Sequence, residues 1–181
     1  MRIIGGKYKG RTVKFPKSKL VRPTTDKVKE SIFNYLIHSI DFENILVCDL
    51  YAGSGSLGLE ALSRGAAEVH FVEKDFKVSR VLKENILSLQ ADEFCKVFKM
   101  DAVMFTKFEE HAKYNLILAD PPFFKDDIYK VVENVISKNF LEVNGLILVE
   151  RSVQTKVSDM ENFKREPFKK LGDSLIYQFT Y

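Results

Sequence analysis

The chain has 181 residues, 45% of them hydrophobic, and a net charge of +3 at pH 7. These values allow a sizeable core in one unit, so we expect a single domain over residues 1–181. No apolar run approaches the ~20 residues that cross a bilayer and the Met1 end has no apolar secretion signal, which predicts a cytoplasmic protein without a membrane partner. Two cysteines and three scattered histidines have no zinc-ligand spacing, so no metal is expected.

Positive charge is concentrated at the N-terminus. Residues 1–30 contain ten Lys or Arg and two acidic residues, a net charge of +8, so the remaining residues have a net charge of −5. Such a segment either binds a polyanion or forms an ordinary solvated surface. The glycines of residues 1–22 interrupt a strand pattern, which predicts a basic β-hairpin extension before a catalytic core at 23–181. Its candidate nucleic-acid-binding residues are Arg2, Lys7, Lys9, Arg11 and Arg22.

Two aromatic residues accompany these charges. Tyr8 and Phe15 could stack on bases, or they could pack the hairpin against the core. After Pro23, Thr24 or Thr25 can cap a helix, because threonine side chains accept bonds from the first helical amides. The apolar positions of this helix fall on one face, which predicts packing on a sheet; they are Val28, Ile32, Tyr35 and Leu36.

The apolar run 45–50 is followed by a glycine-rich loop and then a helical stretch. Gly53 and Gly55 permit positive φ and close approach of a ligand, and Gly58 permits tight packing of the helix on the sheet. The next run, 69–73, ends at Glu73, whose carboxylate can accept bonds from both hydroxyls of an adenosine ribose. The predicted cofactor-binding residues here are Asp49, Tyr51, Gly53, Ser54, Gly55, Glu73 and Lys74.

The glycine spacing alone also fits a dinucleotide. A pyrophosphate binds at a helix N-terminus, whereas the carboxylate of Asp49 just before the loop would repel it. S-adenosylmethionine has a sulfonium and an ammonium, so Asp49 favours this ligand. Asp101, after the run 95–100, could accept a bond from the adenine amino group with the Ala102 amide nearby; the alternative is an ordinary helix N-cap.

The run 114–119 predicts a buried parallel strand that ends in Asp120-Pro121-Pro122-Phe123. Proline cannot donate to a ladder and biases the preceding residue toward extended geometry, so the Asp120 carboxylate and the Pro121 carbonyl can project from the strand end. Two acceptors and the Phe123 ring would hold a planar amine for attack on an electrophilic carbon. The predicted catalytic residues are Asp120, Pro121, Pro122 and Phe123, and Asp120 is also assigned to the cofactor site.

A further run at 146–150 completes an alternation of strands and helices that is typical of a parallel sheet with right-handed crossovers. The last strand, Ser174 to Tyr181, lacks a long helix before it. We therefore predict that it is antiparallel and enters by a hairpin from the region 163–170.

At this point the motifs resemble a known family. D-L-Y-A-G-S-G, Glu73, Asp101 and D-P-P-F resemble the class I S-adenosylmethionine methyltransferases that modify amino groups. The blocks M-R-I-I-G-G-K-Y-K-G-R and R-P-T-T-D-K-V-K-E-S-I-F-N are similar to the bacterial guanine-N2 methyltransferases of 16S ribosomal RNA, the RsmD type. Tyr51 and Ala119 depart from the usual Phe and larger apolar residue of that family.

The resemblance implies an α/β, Rossmann-like fold with a mostly parallel seven-stranded sheet, helices on both faces and an N-terminal β-hairpin. It also implies that the segment with Thr24 closes over S-adenosylmethionine, and that the substrate is a guanine N2 of small-subunit ribosomal RNA, within a small-subunit particle. Three alternatives stay open: a DNA adenine-N6 methyltransferase, a small-molecule or protein-glutamine methyltransferase, and a non-catalytic RNA-binding assembly protein.

Overall fold

A seven-stranded sheet with the order β3-β2-β1-β4-β5-β7-β6 forms the centre of the computed structural model, which describes residues 1–15, 26–122 and 125–181. The strands are β1 (Leu46–Leu50), β2 (Glu68–Val72), β3 (Cys95–Phe98), β4 (Tyr114–Ala119), β5 (Leu141–Ser152), β6 (Lys169–Leu171) and β7 (Ser174–Phe179). The helices are α1 (Asp26–Leu36), α2 (Ser56–Ser63), α3 (Phe76–Ser88), α4 (Ala102–Phe105), α5 (Asp127–Ser137) and α6 (Lys156–Phe163).

β1 to β5 are parallel, and β7 runs antiparallel between β5 and β6. The predicted fold class is confirmed, including the antiparallel last strand and its hairpin. β5 begins five residues before the predicted run at 146, and its register with β4 shifts between Tyr114 and Leu116. Asn144, at φ 64°, lies in this irregular part, which explains why the apolar pattern starts only at Leu146.

Each face of the sheet has its own hydrophobic core because successive side chains of a strand point to opposite faces. Leu116 and Leu118 pack with α1, α2 and α3, whereas Ile117 and Ala119 pack with α4 and α5. Gly58 of α2 lies directly over the first face, where an added Cβ would come within 2.4 Å of the Phe71 ring. This close approach confirms that Gly58 allows α2 to contact the sheet.

The N-terminal segment is a tight return rather than a regular β-hairpin. Its two arms form a single bridge, Arg2 with Thr12, besides backbone bonds such as Ile3 N–H to the Arg11 carbonyl at 2.9 Å. The expected two strands do not form because other backbone groups of the segment bond to helix side chains. Ile4 and Gly5 N–H donate to the two Glu60 carboxylate oxygens of α2 at 2.8 and 2.9 Å.

Glu60 is the centre of a buried charge cluster that joins three elements. Its carboxylate is fully buried and pairs with Lys29 of α1 at 3.5 Å and with Arg64 at 2.9 Å. Burial lowers the pKa of Lys29, and the Glu60 carboxylate opposes that effect. Lys29 is buried with Ile32 and Leu36, two of the apolar positions that were predicted to pack on the sheet. The cluster therefore fixes α1 and the N-terminal return on α2.

The return runs along α2 and then back along α3. Lys7 N–H donates to the Ser63 carbonyl at 2.7 Å, at the far end of α2, and the Arg11 guanidinium donates to the Ser88 carbonyl at the end of α3. The Asn85 amide then binds both the Lys14 carbonyl and the Ser54 carbonyl at 2.9 Å. This amide connects the return directly to the glycine loop.

Candidate active site at the carboxyl edge of the sheet

Three functional side chains meet where the parallel strands β2, β1 and β4 end, an edge that we call the carboxyl edge. Leu50 is in register with Val72 on one side and with Ala119 on the other. Tyr51, Glu73 and Asp120 are therefore at the same level on adjacent strands. With ~4.8 Å between neighbouring strands, the Glu73 and Asp120 backbones lie about 10 Å apart across the end of β1.

The glycine loop between β1 and α2 has the positive φ angles that the sequence predicts at Gly53 and Gly55, and Tyr51 shares this conformation. Tyr51, Gly53 and Gly55 have φ values of 61°, 56° and 84°. Among the residues that the structure describes, an added Cβ on Gly53 would meet only the Tyr51 carbonyl, at 3.9 Å, so these residues leave room for a ligand to approach the backbone. The corresponding space at Gly55 is filled by Leu82, at 2.4 Å, so this glycine serves the packing of α3. Ser54 is buried and its carbonyl accepts from Asn85.

Glu73 holds the glycine loop. One of its carboxylate oxygens accepts from Gly53 N–H at 3.0 Å and the other accepts from Asp75 N–H at 2.8 Å. The side chain is half-buried, and each carboxylate oxygen has a further lone pair for a ligand. Glu73 thus combines a loop-stabilising role, which the sequence did not predict, with a position suited to a ribose.

Asp49 is more enclosed than a simple ligand-binding carboxylate would be. It is 2% exposed and accepts from Gly58 N–H of α2 at 2.8 Å. Burial raises its pKa well above the ordinary value of 3.8, and the negative charges of Asp120 and Glu73 raise it further. Asp49 is in register with Phe71 and Leu118, two residues before Glu73 and Asp120, so the three carboxylates lie on the same face of the sheet. This arrangement favours a cationic ligand over a phosphate.

At the end of β3, Asp101 caps α4: one carboxylate oxygen accepts from Val103 N–H at 2.9 Å. Its other oxygen lies 3.7 Å from the Lys74 ammonium, whose side chain is half-exposed. Ala102 is buried just after the cap. Asp101 is therefore an N-cap, as the alternative interpretation stated. Its second carboxylate oxygen lies on the rim of the carboxyl edge, where it could accept a hydrogen bond from an adenine.

The segment after β4 begins with Asp120, half-buried, followed by Pro121, buried, and Pro122, exposed. Lys125 N–H donates to the Pro122 carbonyl at 3.0 Å, which closes the segment. Thr24 and Arg22, like Phe123, lie outside the described residues. Their assigned roles stay predictions.

The Tyr51 side chain of the glycine loop lies near Asp127, which follows the segment after β4. Burial and the neighbouring Asp127 carboxylate raise the pKa of the Tyr51 phenol. Asp127 begins α5 and pairs with Lys125 at 3.4 Å. Asp127 and Lys125 were not predicted as site residues. Their charges, close behind D-P-P-F, were the only signal in the sequence that could have indicated them.

The candidate nucleic-acid-binding residues in the described part of the chain lie on the N-terminal return. Arg2, Lys7, Lys9 and Arg11 are all exposed, but Lys7 and Arg11 lie at the far ends of α2 and α3. Because α2 has 8 residues and α3 has 13, these helices are about 12 and 20 Å long, so the helix ends near Lys7 and Arg11 are separated from the carboxyl edge. Tyr8 is 8% exposed, so it packs the return against the core and presents no free face to a base.

Neither a metal-binding cluster nor a membrane-spanning helix is found in the described part of the chain. Within residues 1–15, 26–122 and 125–181, no group of three or more His, Cys, Asp or Glu side chains is arranged to hold a metal ion. Across the same ranges, no helix is long and apolar enough to span a bilayer.

The strand order, the antiparallel β7 and the glycine loop define the class of protein: this is a class I methyltransferase fold of the Rossmann-like kind. The solved structure of yhhF from Escherichia coli superposes with a TM-score of 0.82 at 31% identity, covering 98% of this chain and 96% of that chain. The Thermus protein TTHA0928 superposes at 0.79 with 24% identity, covering 100% and 99% of the two chains.

Sequence comparison gives the family. The family model described as "Conserved hypothetical protein 95" matches residues 1–180, and the chain belongs to this family. Ribosomal RNA small subunit methyltransferase D of Escherichia coli K12 is 38% identical over 154 residues, covering 85% of this chain and 76% of the relative. The protein of the same name from Haemophilus influenzae is 36% identical over 165 residues, covering 90% and 84%. The resemblance to the RsmD type is thereby confirmed.

Proposed function

We propose that the chain transfers a methyl group from S-adenosylmethionine to the exocyclic N2 of a guanine in small-subunit (16S) ribosomal RNA. The observation that supports this most directly is the convergence of Asp49, Glu73 and Asp120 around an open glycine loop. Relatives named for methylation of small-subunit ribosomal RNA support the substrate. Such a substrate would also place the protein in the cytoplasm.

The residues at the carboxyl edge fit the cofactor. Glu73 is suited to the ribose, the space beside Gly53 leaves room for the amino-acid part, and the converging acidic groups suit its two positive charges. Asp101 and the Ala102 amide would bind the adenine, with Lys74 beside them. Bound there, S-adenosylmethionine supplies an electrophilic methyl group and leaves as a neutral thioether.

The protein's own contribution is positioning and charge stabilisation. The Asp120 carboxylate and the Pro121 carbonyl would accept the two hydrogens of the guanine amine and aim its lone pair, with Phe123 stacked on the base. As the nitrogen gains the methyl group it becomes positive, and Asp120 stabilises that charge. The extra proton then leaves to Asp120 or to water. A target guanine must leave its stack to reach this edge, which favours an exposed nucleotide.

We further propose that residues 1–22 act as a docking extension of a core at 23–181. Exposed Arg2, Lys7, Lys9 and Arg11 would contact RNA phosphates, together with Arg22. Four of these positions, all except Arg22, lie on a return that bonds to α2 and α3 and is therefore a firm platform.

A transfer assay with labelled cofactor tests the function. Small-subunit particles, naked ribosomal RNA and duplex DNA are compared, and the methylated nucleoside is identified by mass spectrometry. We expect label on N2-methylguanine from the ribosomal substrates. Label on adenine N6 of the duplex would instead support the DNA alternative, and absence of transfer to all three would support a non-catalytic protein.

Replacing Lys7, Lys9 and Arg11 together by Gln is expected to raise the KM for RNA. Each lost phosphate contact should reduce the slope of log affinity against log salt by about 1. Cofactor affinity should not change, since these side chains lie away from the carboxyl edge. Binding titrations at several salt concentrations measure both quantities.

The matched control is Lys113, Lys130 and Lys156 to Gln, which removes the same charge from exposed sites before β4, on α5 and on α6. It should leave the KM and the slope near wild type. Equal effects of the two triple variants would mean that only net charge matters and that the N-terminal return is not a docking surface.

Cofactor affinity is expected to fall as pH is lowered, because of Asp49. Burial raises the pKa of Asp49, so below that raised value the unbound protein holds a proton that a cationic ligand must displace. The pKa is raised in the folded state, so this group favours folding at low pH, and that contribution is lost as pH rises through the folded pKa. Calorimetric titration across pH should show the loss of affinity in wild type and a flatter profile in Asp49→Asn. If cofactor affinity fell equally with pH in wild type and in Asp49→Asn, a charge contact between the cofactor and Asp49 would be contradicted.

A further inference from the structure

A fully buried ion pair lies beneath the segment that follows β4. Arg151, near the end of β5, donates from Nε to an Asp159 carboxylate oxygen of α6 at 2.9 Å, and both side chains are completely buried. The Tyr129 hydroxyl donates to the same oxygen at 2.8 Å, and the Thr155 hydroxyl donates to the other at 2.7 Å. The Asp159 carboxylate is thus well satisfied, as a buried charge requires.

Burying such a pair is an expensive way to stabilise a fold. Desolvation of two charges often exceeds their attraction, and well-packed apolar residues of similar size commonly do as well or better. The Arg151 Nη2 group adds to this cost, because it is buried and has no hydrogen-bond partner among the residues that the structure describes. A role other than stability would explain why these groups occupy the interior.

The ion pair is connected to the segment after β4 through the Arg151 guanidinium. Arg151 Nη1 donates to the Lys125 carbonyl at 3.3 Å, and Lys125 N–H donates in turn to the Pro122 carbonyl at 3.0 Å. Because Nε is held by Asp159, the planar guanidinium has a fixed direction. The bonded path therefore runs from α6 through Arg151 to the backbone that follows Asp120 and Pro121.

We propose that Arg151 and Asp159 are positioning residues for methyl transfer: through the Lys125 backbone they hold the Pro122 carbonyl, and so keep the Asp120 carboxylate and the Pro121 carbonyl facing the amine. This inference rests on the proposed function for its chemical readout. Neither residue touches the reacting atoms. Misplacement of acceptors by about 1 Å can lower a rate about 10²-fold without weakening binding.

The single variants Arg151→Met and Asp159→Leu should lower kcat by about tenfold or more, with the RNA KM and cofactor affinity within about twofold of wild type. Arg151→Lys should fall between, because an ammonium can pair with Asp159 but has no second arm for the Lys125 carbonyl. Each single variant also leaves one buried charge unpaired, so both should be less stable than wild type.

The double variant Arg151→Met/Asp159→Leu separates positioning from stability. It leaves no unpaired charge, so its melting temperature should return toward wild type while kcat stays low. Hydrogen exchange measured on a peptide covering residues 120–127 should be faster than in wild type. As a control, Lys130→Met/Glu133→Leu removes an exposed pair of α5, at 2.9 Å, and should leave kcat and exchange unchanged.

A double variant that recovers stability together with wild-type kcat and wild-type exchange at 120–127 would overturn the inference. Wild-type protein without transfer to ribosomal RNA would refute the proposed function instead. In that event the exchange measurement still decides whether the pair holds the segment, since it needs no substrate.

Discussion

Asp120→Ala is expected to lower kcat by about 10² or more while cofactor affinity stays near wild type. The carboxylate lies at the tip of β4, one strand away from the glycine loop, where it can act on the amine as positive charge develops. An acceptor used mainly in the transition state affects turnover more than binding. Single-turnover transfer and cofactor titration measure the two effects separately.

Two further variants sharpen this test. Asp120→Asn keeps an acceptor but has no charge, so its rate should fall between wild type and Asp120→Ala. Asp126→Ala removes an exposed carboxylate from the same connection, one that makes no cap bond to α5, and should be nearly silent. More than about a tenth of wild-type turnover in Asp120→Ala would contradict the assigned role.

Glu73→Ala is expected to weaken cofactor binding by about 1.5 to 3 kcal/mol, because a ribose loses a charged acceptor. The same change also removes the bonds to Gly53 and Asp75, so weaker binding alone could reflect a disordered loop. A 2′-deoxyribose analogue of the cofactor distinguishes the two causes. In wild type the analogue should bind more weakly than the cofactor, and in Glu73→Ala the difference should vanish.

If the analogue binds more weakly than the cofactor by the same factor in wild type and in Glu73→Ala, Glu73 does not contact the ribose. Its function would then be limited to holding the glycine loop. Thermal melting of Glu73→Ala, measured alongside, reports how much the two backbone bonds contribute to stability.

Local patterns predicted most of the sheet. Apolar runs located β1 to β4 within a residue or two, because parallel strands that are covered on both faces are mostly apolar. The packing role of Gly58 could also be predicted, because only a residue without a Cβ allows α2 to approach Phe71. The convergence of Glu73 and Asp120 followed from topology, since the ends of parallel strands meet at one edge.

Local patterns could not predict the buried contacts between charges that lie on different secondary-structure elements. Lys29 and Glu60 look like ordinary surface residues, yet both are completely buried because they neutralise each other. Arg151 and Asp159 are hidden in the same way. The N-terminal hairpin was only partly realised because Glu60 competes for its backbone amides, a preference that no strand pattern encodes.

The docked N-terminal return also affects when the fold can be completed during synthesis. Ile4 and Tyr8 bond to Glu60 and Ser63, which are translated about 55 residues later, and Lys14 bonds to Asn85, 71 residues later. Contacts this distant in sequence form late, because the intervening loop must close first. The basic segment therefore stays undocked until α2 and α3 have been synthesised.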